Sequence, residues 1–217
     1  MKKWLTRKIT REHVDDFVKR HASDKKTLDL GSAWSPYSSY FPNRTSSDIE
    51  ERGGVDVVAD AHNLPFSDGE FENILCSEVL EHLHTPEKAI AEMYRVLSPG
   101  GTLILTTRFM FPMHDVPHDY FRYTETGMKH IFRNFEIKEL VPETKNFETL
   151  AVLVHRMALT MEFRGGFFTK TFLFLLAKII KKLGWLVKKE YGKRNFDGTG
   201  VEWNTFASGY YIFAVKT

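Results

Sequence analysis

Short apolar runs rich in β-branched residues alternate with helical segments, and this alternation restricts the fold more than any other feature of the chain. Strands that alternate with helices are typical of a parallel sheet covered by helices. We therefore predict an α/β fold with a mostly parallel seven-stranded sheet and helices on both faces. Its ligands should bind outside the carboxyl ends of the strands. The predicted strands are 27–30, 46–49, 55–59, 73–77, 102–107, 135–141 and 210–215.

Two stretches depart from a minimal sheet of this kind. Only a few residues separate 46–49 from Val55, whereas a parallel crossover needs ~12 residues. We expect the intervening helix to be missing and the third strand to be short. Helical sequence also fills 146–206 before the final strand, which predicts an insertion in a main domain formed by 1–145 and 207–217.

Composition excludes some classes of partner. The 217 residues are 42% hydrophobic and carry a net charge of +2, from 30 basic and 28 acidic residues. Such a balance gives no global attraction to nucleic acid and therefore argues against nucleic acid as a partner. Cys76 is the single cysteine and lies in an apolar run, so a reducing, cytoplasmic setting is expected. The basic start, 1–8, lacks the apolar stretch of a secretion signal.

The sequence Leu28-Asp29-Leu30-Gly31 places a carboxylate at the end of a buried strand and a glycine at the following turn. A glycine there permits close approach of a ligand to the backbone, but several nucleotide cofactors use such turns. A dinucleotide site would need further glycines around a pyrophosphate, where this chain has Ser32 and Ala33. S-adenosylmethionine has no phosphate, and Asp29, Asp48 and Asp60 supply carboxylates for its amino group, ribose and adenine.

Five motifs follow one another in the chain, namely Leu28-Asp29-Leu30-Gly31, Asp48-Ile49, DAHNLPF at 60–66, SEVLEHL at 77–83 and RVLSPGGTL at 95–103. By the order and spacing of these motifs, the chain resembles the class I S-adenosylmethionine-dependent methyltransferases, which have a Rossmann-like fold. The resemblance covers about residues 26 to 141 and is to the type 11 methyltransferase domain and to the branch with small-molecule or lipid substrates. It implies that the main domain binds S-adenosylmethionine.

The resemblance also implies which residues contact the cofactor. Asp29 and the turn residues Gly31, Ser32 and Ala33 would lie at its methionine end. At the other positions, the implied contacts are Asp48 with Ile49 at the ribose, Asp60 with Ala61 at the adenine, and the backbone of Ser77 along the pocket.

A second group of residues suggests chemistry at the acceptor. Glu78, Glu81 and His82 have the spacing that shares one face of a predicted helix over 78–84, and His118 follows the fifth strand. Metal-dependent members of the family, the ubiquinone-pathway O-methyltransferases and the small-RNA 3′-end methyltransferases, have a similar set. These four residues could hold Mg²⁺ or another divalent ion that lowers the pKa of an acceptor hydroxyl. Alternatively they cap and line the pocket without metal, and His118 or His114 acts as general base.

The stretch 166–190 mixes aromatic and aliphatic residues with many lysines. Its uncharged part is far shorter than the ~20 residues that span a bilayer. Two interpretations remain open, a lid over the active site and a basic helix at the membrane interface. The second would make the protein membrane-peripheral.

The sequence thus predicts an enzyme that methylates an oxygen of a small or lipid-linked molecule. Methylation of nucleic acid is one alternative, favoured by the local cations Lys188, Lys189, Lys193 and Arg194. A cofactor-binding protein without catalysis is another, since few glycines follow Gly31. No feature of the sequence predicts an oligomeric state.

Overall fold

A computed structural model of the chain describes residues 6, 8–32, 35–51, 53–188 and 206–217. Several sequence predictions therefore fall on residues outside the described ranges, namely those for Ala33, Lys189, Lys193 and Arg194.

The chain forms two compact units. The first comprises Met1–Val14, Met110–Pro112 and Pro142–Gly209, and the second Asp15–Phe109, Met113–Val141 and Tyr210–Thr217. Met1–Val14 thus belongs to the same unit as the helical insertion. The division into a cofactor-binding domain and a covering insertion at 146–206 stays a prediction.

The sheet confirms the predicted α/β fold. Its seven strands have the order β3-β2-β1-β4-β5-β7-β6, and the pairs β1–β2, β1–β4, β2–β3 and β4–β5 are parallel. The strands are β1 Thr27–Leu30, β2 Arg44–Asp48, β3 Val57–Val58, β4 Phe71–Ser77, β5 Leu97–Arg108, β6 Phe135–Pro142 and β7 Gly209–Lys216. The accompanying helices are α1 Ile9–Arg20, α2 Pro86–Val96 and α3 Glu125–Ile131.

The centre of this sheet is apolar on both faces. Leu28 of β1, Ile74 of β4 and Leu103 of β5 are register partners on one face, and Leu75 and Ile104 are partners on the other. All five are buried, as is expected for parallel strands covered on both sides. Chain order reverses at β1, because β2 lies on one side of it and β4 on the other. Crevices for ligands form where the strand order reverses, so the carboxyl ends of β1 and β4 are the place to look for a site.

The connection from β2 to β3 confirms that a helix is missing and that the third strand is short. β3 is two residues long, and no helix occurs in the described part of the connection. Asp56 fixes this short link, because its Oδ2 accepts from the backbone N–H of Ser46 at 2.8 Å and from the Ser46 hydroxyl at 2.6 Å.

The predicted helix over 78–84 is wrong. Only a 3₁₀ turn, Leu80–His82, forms, and Glu78 has a left-handed backbone with φ of 58°. The backbone carbonyl of Glu81 accepts from the N–H groups of Tyr120 at 2.9 Å and Phe121 at 3.1 Å. These tertiary bonds occupy an acceptor that a continuing helix would need, and a new helix, α2, begins four residues after the turn, at Pro86.

The helical insertion before the last strand is confirmed. It contains α4 Asn146–Thr160, α5 Gly166–Lys181 and a 3₁₀ helix, Lys182–Leu186. Ala158 of α4 and Phe174 of α5 form a small buried cluster, and the ring of His155 meets Phe174 edge-on at 5.0 Å. Among the described residues, the helices are too short or too polar to cross a membrane.

Candidate cofactor and acceptor site

The register of the sheet brings the predicted cofactor residues to one edge. Leu30 is paired with Ser47 of β2 and with Cys76 of β4. The next residues along the three strands, Gly31, Asp48 and Ser77, are therefore level with one another at the carboxyl edge. Adjacent strands are ~4.8 Å apart, so a single ligand can reach all three positions.

The turn after β1 requires glycine. Gly31 has φ of 71°, and a Cβ there would lie 2.3 Å from Cγ2 of Val79. Its N–H donates to the carbonyl of Ser47 at 2.7 Å, and the N–H of Ser32 donates to the same oxygen at 3.0 Å. Sequence reasoning missed Val79, which follows β4 and occupies the space that a side chain at position 31 would fill.

Asp29 is buried rather than open to solvent. Its side chain is 3% exposed and accepts from Arg44 Nη1 at 2.5 Å. Burial raises the pKa of Asp29, and the positive charge of Arg44 opposes that rise. Arg44, on the neighbouring strand, is thus a part of the site that the sequence motif did not identify.

Asp48 ends β2 and is partly exposed. Its Oδ1 accepts from the N–H of Glu50 at 3.1 Å, and its carbonyl accepts from the N–H of Ala59 at 2.8 Å. The following side chain, Ile49, is 68% exposed. Both predicted ribose residues therefore stand at the open edge of the sheet.

Asp60 follows β3 and is fixed by His62. Its Oδ1 accepts from the backbone N–H of His62 at 2.9 Å and lies 2.6 Å from Nδ1 of that ring. The other ring nitrogen, Nε2, accepts from the N–H of Thr85 at 3.3 Å, so Nδ1 carries the proton. The backbone N–H bond is the main cause of a lowered pKa at Asp60. Ala61 is buried beside it.

The loop after Asp60 is held from α2. Arg95 donates to the carbonyls of Leu64 at 3.0 Å and Phe66 at 2.8 Å, while Glu92 accepts from the N–H of Leu64 at 2.8 Å. Sequence reasoning placed Arg95 in a family motif without a role. The structure gives it one, which is to hold the predicted adenine loop.

Ser77, the last residue of β4, is paired with Thr106 of β5, and Glu78 follows it. The hydroxyl of Ser77 is 3.1 Å from that of Thr106, and the N–H of Glu78 donates to the Thr106 carbonyl at 3.0 Å. The carboxylate of Glu78 forms an ion pair with Arg108. Because of its left-handed backbone and this partner, Glu78 does not share a helical face with Glu81 and His82, contrary to the sequence prediction.

Glu81 is a completely buried carboxyl group. Its Oε2 accepts from the Thr107 hydroxyl at 2.8 Å, while Oε1 has no hydrogen-bond partner among the described residues. Burial raises the pKa of Glu81 to about 7. A fully desolvated carboxyl oxygen without a donor is costly, and it marks a position where a ligand group or ion would be stabilised.

Glu81, His82 and His114 form a cluster in which one ligand atom from each lies within 4.8 Å of the others. His82 donates from Nδ1 to the carbonyl of His118 at 2.7 Å, which leaves its Nε2 as an acceptor. The Nδ1 of His114 is 3.4 Å from a carboxylate oxygen of Asp119. Burial is the largest cause of a lowered pKa at His114.

His118 contributes to this cluster by its backbone only. Its ring is exposed, with Nδ1 3.1 Å from the Tyr120 hydroxyl. The predicted metal set Glu78, Glu81, His82 and His118 is thus replaced in the described structure by a three-residue cluster that contains His114. Asp119, bonded twice to Arg122 at 2.6 Å, anchors the loop that carries both histidines.

Known proteins that are similar to this chain include methyltransferases. The methyltransferase domain family matches residues 37–105. A demethylmenaquinone methyltransferase of Paenarthrobacter aurescens is 34% identical in an alignment 119 positions long, which covers 48% of this chain and 46% of that protein. An uncharacterised protein of Methanocaldococcus jannaschii is 33% identical over 96 residues, which cover 41% and 47% of the two chains. The chain thus spans less than half the length of these curated relatives.

A solved structure shares the fold. It is the 1,6-didemethyltoxoflavin-N1-methyltransferase of Burkholderia thailandensis with bound 1,6-didemethyltoxoflavin and S-adenosylhomocysteine. The TM-score is 0.56 at 13% identity, over 99% of this chain and 81% of that one. At this identity the likeness concerns the fold alone.

Proposed function

Because the chain belongs to the class I S-adenosylmethionine-dependent methyltransferases, we propose that it transfers a methyl group from this cofactor to an oxygen of a small or lipid-linked molecule. The proposal rests on the register of the sheet, which places Gly31, Asp48 and Ser77 side by side at its carboxyl edge. Asp60 follows the next strand on the same side.

The turn after β1 fits a cofactor without phosphate. The N–H groups of Gly31 and Ser32 both donate to the Ser47 carbonyl, so neither is available to hold a pyrophosphate. The bare Cα of Gly31 allows a ligand to approach the backbone. These features favour S-adenosylmethionine over a dinucleotide.

The cofactor supplies an electrophilic methyl group, and the residues of the chain supply alignment and proton removal. We assign Asp48 to the ribose hydroxyls and Asp60 with Ala61 to the adenine. Asp29, which is buried against Arg44, holds the turn at the methionine end and does not face solvent. The same turn includes Ser32, which is also buried.

Proton removal from the acceptor is assigned to His114. This ring lies in the Glu81 cluster, and Asp119, which accepts from the His114 backbone N–H at 2.8 Å, has a carboxylate oxygen 3.4 Å from its Nδ1. His118 is the second predicted base, with a smaller expected role because its exposed ring stands outside the cluster.

As an alternative to a base at His114, the cluster fits a divalent ion, because a ring nitrogen that coordinates a metal cannot also accept a proton. Glu81, His82 and His114 would hold it through one carboxylate and two imidazoles. Such donors suit iron, zinc or manganese better than Mg²⁺, which prefers oxygen. When bound, the ion would lower the pKa of an acceptor hydroxyl.

The lipid-linked acceptor is supported by a relative, because the Paenarthrobacter protein is named for demethylmenaquinone. Other relatives are named as C-methyltransferases of ubiquinone and menaquinone biosynthesis, so the choice of oxygen rests on the Glu81 cluster and not on the relatives. A screen with labelled S-adenosylmethionine and phenolic or quinol acceptors, read as label extracted into organic solvent, identifies the acceptor. Label transferred to RNA or DNA but to no small acceptor would contradict the proposal.

Cofactor binding is tested by calorimetry with S-adenosylhomocysteine. Asp48→Ala removes a carboxylate from the edge and should weaken binding about tenfold, the value of one charged hydrogen bond. Glu51→Ala, at an exposed position of the same connection, is the matched control and should bind like wild type. Unchanged affinity in Asp48→Ala would remove Asp48 from the site, and preferential binding of NAD would contradict the cofactor assignment.

The role of His114 is tested separately. His114→Gln should lower kcat about 100-fold while S-adenosylhomocysteine affinity stays within about twofold, because proton removal contributes at least this much. His130→Gln, exposed on α3, is the control. Activity unaffected by chelation would exclude the divalent ion and leave His114 as the base, whereas activity lost on chelation and restored by metal would overturn the assignment of His114 as base.

A further inference from the structure

Helix α5 has apolar residues on two opposite faces. Phe174 and Ala177 are completely buried on the face that packs with α4. On the opposite face, Phe168, Phe172, Leu175 and Ile179 follow the spacing i, i+4, i+7 and i+11, which forms one continuous stripe. Their exposed fractions are 83%, 61%, 45% and 59%. We call these four side chains the outward stripe.

Further large apolar residues adjoin the outward stripe along the chain. Phe167 is 61% exposed at the start of the helix, and Trp185 and Leu186 in the following 3₁₀ helix are 79% and 52% exposed. Contiguous exposed apolar residues on this scale mark an interaction surface in soluble proteins. Tryptophan is enriched at membrane–water interfaces, and tryptophan, phenylalanine and leucine form the apolar face of helices that lie there.

Charge is distributed unevenly between this segment and the rest of the chain. Residues 163–189 contain seven basic and no acidic residues. Subtracting them from the totals leaves 23 basic and 28 acidic residues, a net charge of −5 for the remainder. The charge of the segment opposes association with a second copy of itself and favours an anionic surface.

From the stripe and this charge, we propose that α5 binds an anionic lipid surface, lying in the plane of the interface with the outward stripe among the acyl chains. Lys178 and Lys182 lie beside the stripe and would contact lipid phosphates. A helix of 16 residues is too short to span a bilayer, so it lies on the membrane. The proposal does not depend on which acceptor is methylated.

The test is flotation of the full chain with two kinds of vesicle, phosphatidylcholine alone and phosphatidylcholine with 30% phosphatidylglycerol. We expect the wild type to float with the anionic vesicles and to be released by high salt. Phe168→Ser with Phe172→Ser should weaken this binding at least tenfold. Leu150→Ser on α4, whose side chain is 45% exposed, is the matched control and should bind like wild type.

Neutralising Lys178 and Lys182 to glutamine should weaken binding to anionic vesicles about fivefold for each lysine, with little change on neutral vesicles. Circular dichroism and thermal melting check that each variant is folded. Equal binding by wild type and the double phenylalanine variant would overturn the proposal, as would equal affinity for both vesicle types. Failure of the wild type to bind either kind of vesicle would also overturn it. A dimer of the wild type in light scattering that the double phenylalanine variant does not form would overturn it too, and would show that the outward stripe binds a second copy of the chain.

Discussion

The carboxyl edge of the sheet and the outward stripe of α5 are organised in opposite ways. At the edge, polar groups are fixed by specific partners, such as Asp29 by Arg44 and Asp60 by His62. The stripe consists of apolar side chains that are about half or more exposed. A site that aligns reactants needs fixed polar groups, whereas a surface that enters a fluid interface needs only accessible apolar area and charge.

The two regions also differ in how they are encoded. The edge is encoded by motifs with fixed spacing, since each residue has one position at the end of a strand. Both faces of α5 are apolar, so the sequence does not distinguish the face that packs from the face that is exposed. Four predictions test this contrast, and they are ordered by expected effect.

The largest effect is expected within α5 itself. Phe174→Ala should lower the free energy of unfolding by about 4 kcal/mol, because it leaves a cavity in a completely buried cluster. Phe168→Ala, four-fifths exposed on the opposite face, should change it by less than about 0.5 kcal/mol. Urea denaturation measures both. Similar losses in the two variants would mean that the outward stripe is packed, which contradicts its exposure.

Arg44→Met should destabilise the edge by about 3 kcal/mol, because it leaves the buried carboxylate of Asp29 without its counter-charge. Burial raises the pKa of Asp29 in the folded protein. The loss of stability in Arg44→Met should therefore grow as pH rises above the pKa of Asp29 in the unfolded chain, and it should shrink in acid. Urea denaturation from pH 3.5 to 7 checks this.

Two variants serve as controls for Arg44→Met. Asp29→Asn combined with Arg44→Met should recover part of the stability that Arg44→Met loses, because it removes the uncompensated charge. Arg20→Met breaks an exposed ion pair with Glu139, and its effect should stay below about 1 kcal/mol. Equal losses at Arg20 and Arg44 would show that the edge does not depend on buried pairing.

Gly31→Ala should lower stability by about 2 kcal/mol, because alanine is strained at a left-handed φ and its Cβ meets Val79. S-adenosylhomocysteine binding should weaken with it. Adding Val79→Ala removes the contact but not the backbone strain, so this double variant should recover only part of the loss. Full recovery would assign the whole effect to crowding, and wild-type behaviour of Gly31→Ala would refute the role of the turn.

The smallest effect concerns His13 and Glu148, whose side chains are 3.0 Å apart. The hydrogen bond to Glu148 raises the pKa of His13. The resulting stabilisation is present below about pH 6.5 and is lost as pH rises through the folded pKa. Because both groups are partly exposed, it should amount to less than about 1 kcal/mol. The difference between wild type and His13→Asn across pH 5–8 measures it, and a constant difference would contradict the assignment.

Most of the sheet was predictable from the sequence, because buried parallel strands are apolar and their spacing limits their connections. The missing helix before β3 followed from chain length alone. The position of Gly31, Asp48 and Ser77 at the carboxyl edge was predictable for the same reason, since Gly31 follows a strand that the sequence shows and the other two lie at the ends of such strands. Their partners Arg44 and Val79 were not, because register and packing bring them there from other elements.

The segment after β4 was decided by tertiary structure. Its spacing favoured a helix with Glu78, Glu81 and His82 on one face, as local periodicity would require. Instead the Glu81 carbonyl bonds to Tyr120 and Phe121, and Glu78 turns to Arg108. The loop that supplies those bonds also brings His114, rather than the ring of His118, to Glu81.

The sequence by itself therefore determined the α/β sheet, the insertion before its last strand and which residues lie at the carboxyl edge of the sheet. These depend on hydrophobic periodicity and on glycine and carboxylates at strand ends, which are local properties. Only the tertiary structure decided which histidine joins Glu81 and which face of α5 is exposed. Both depend on contacts between residues distant in the chain, and local patterns do not encode such contacts.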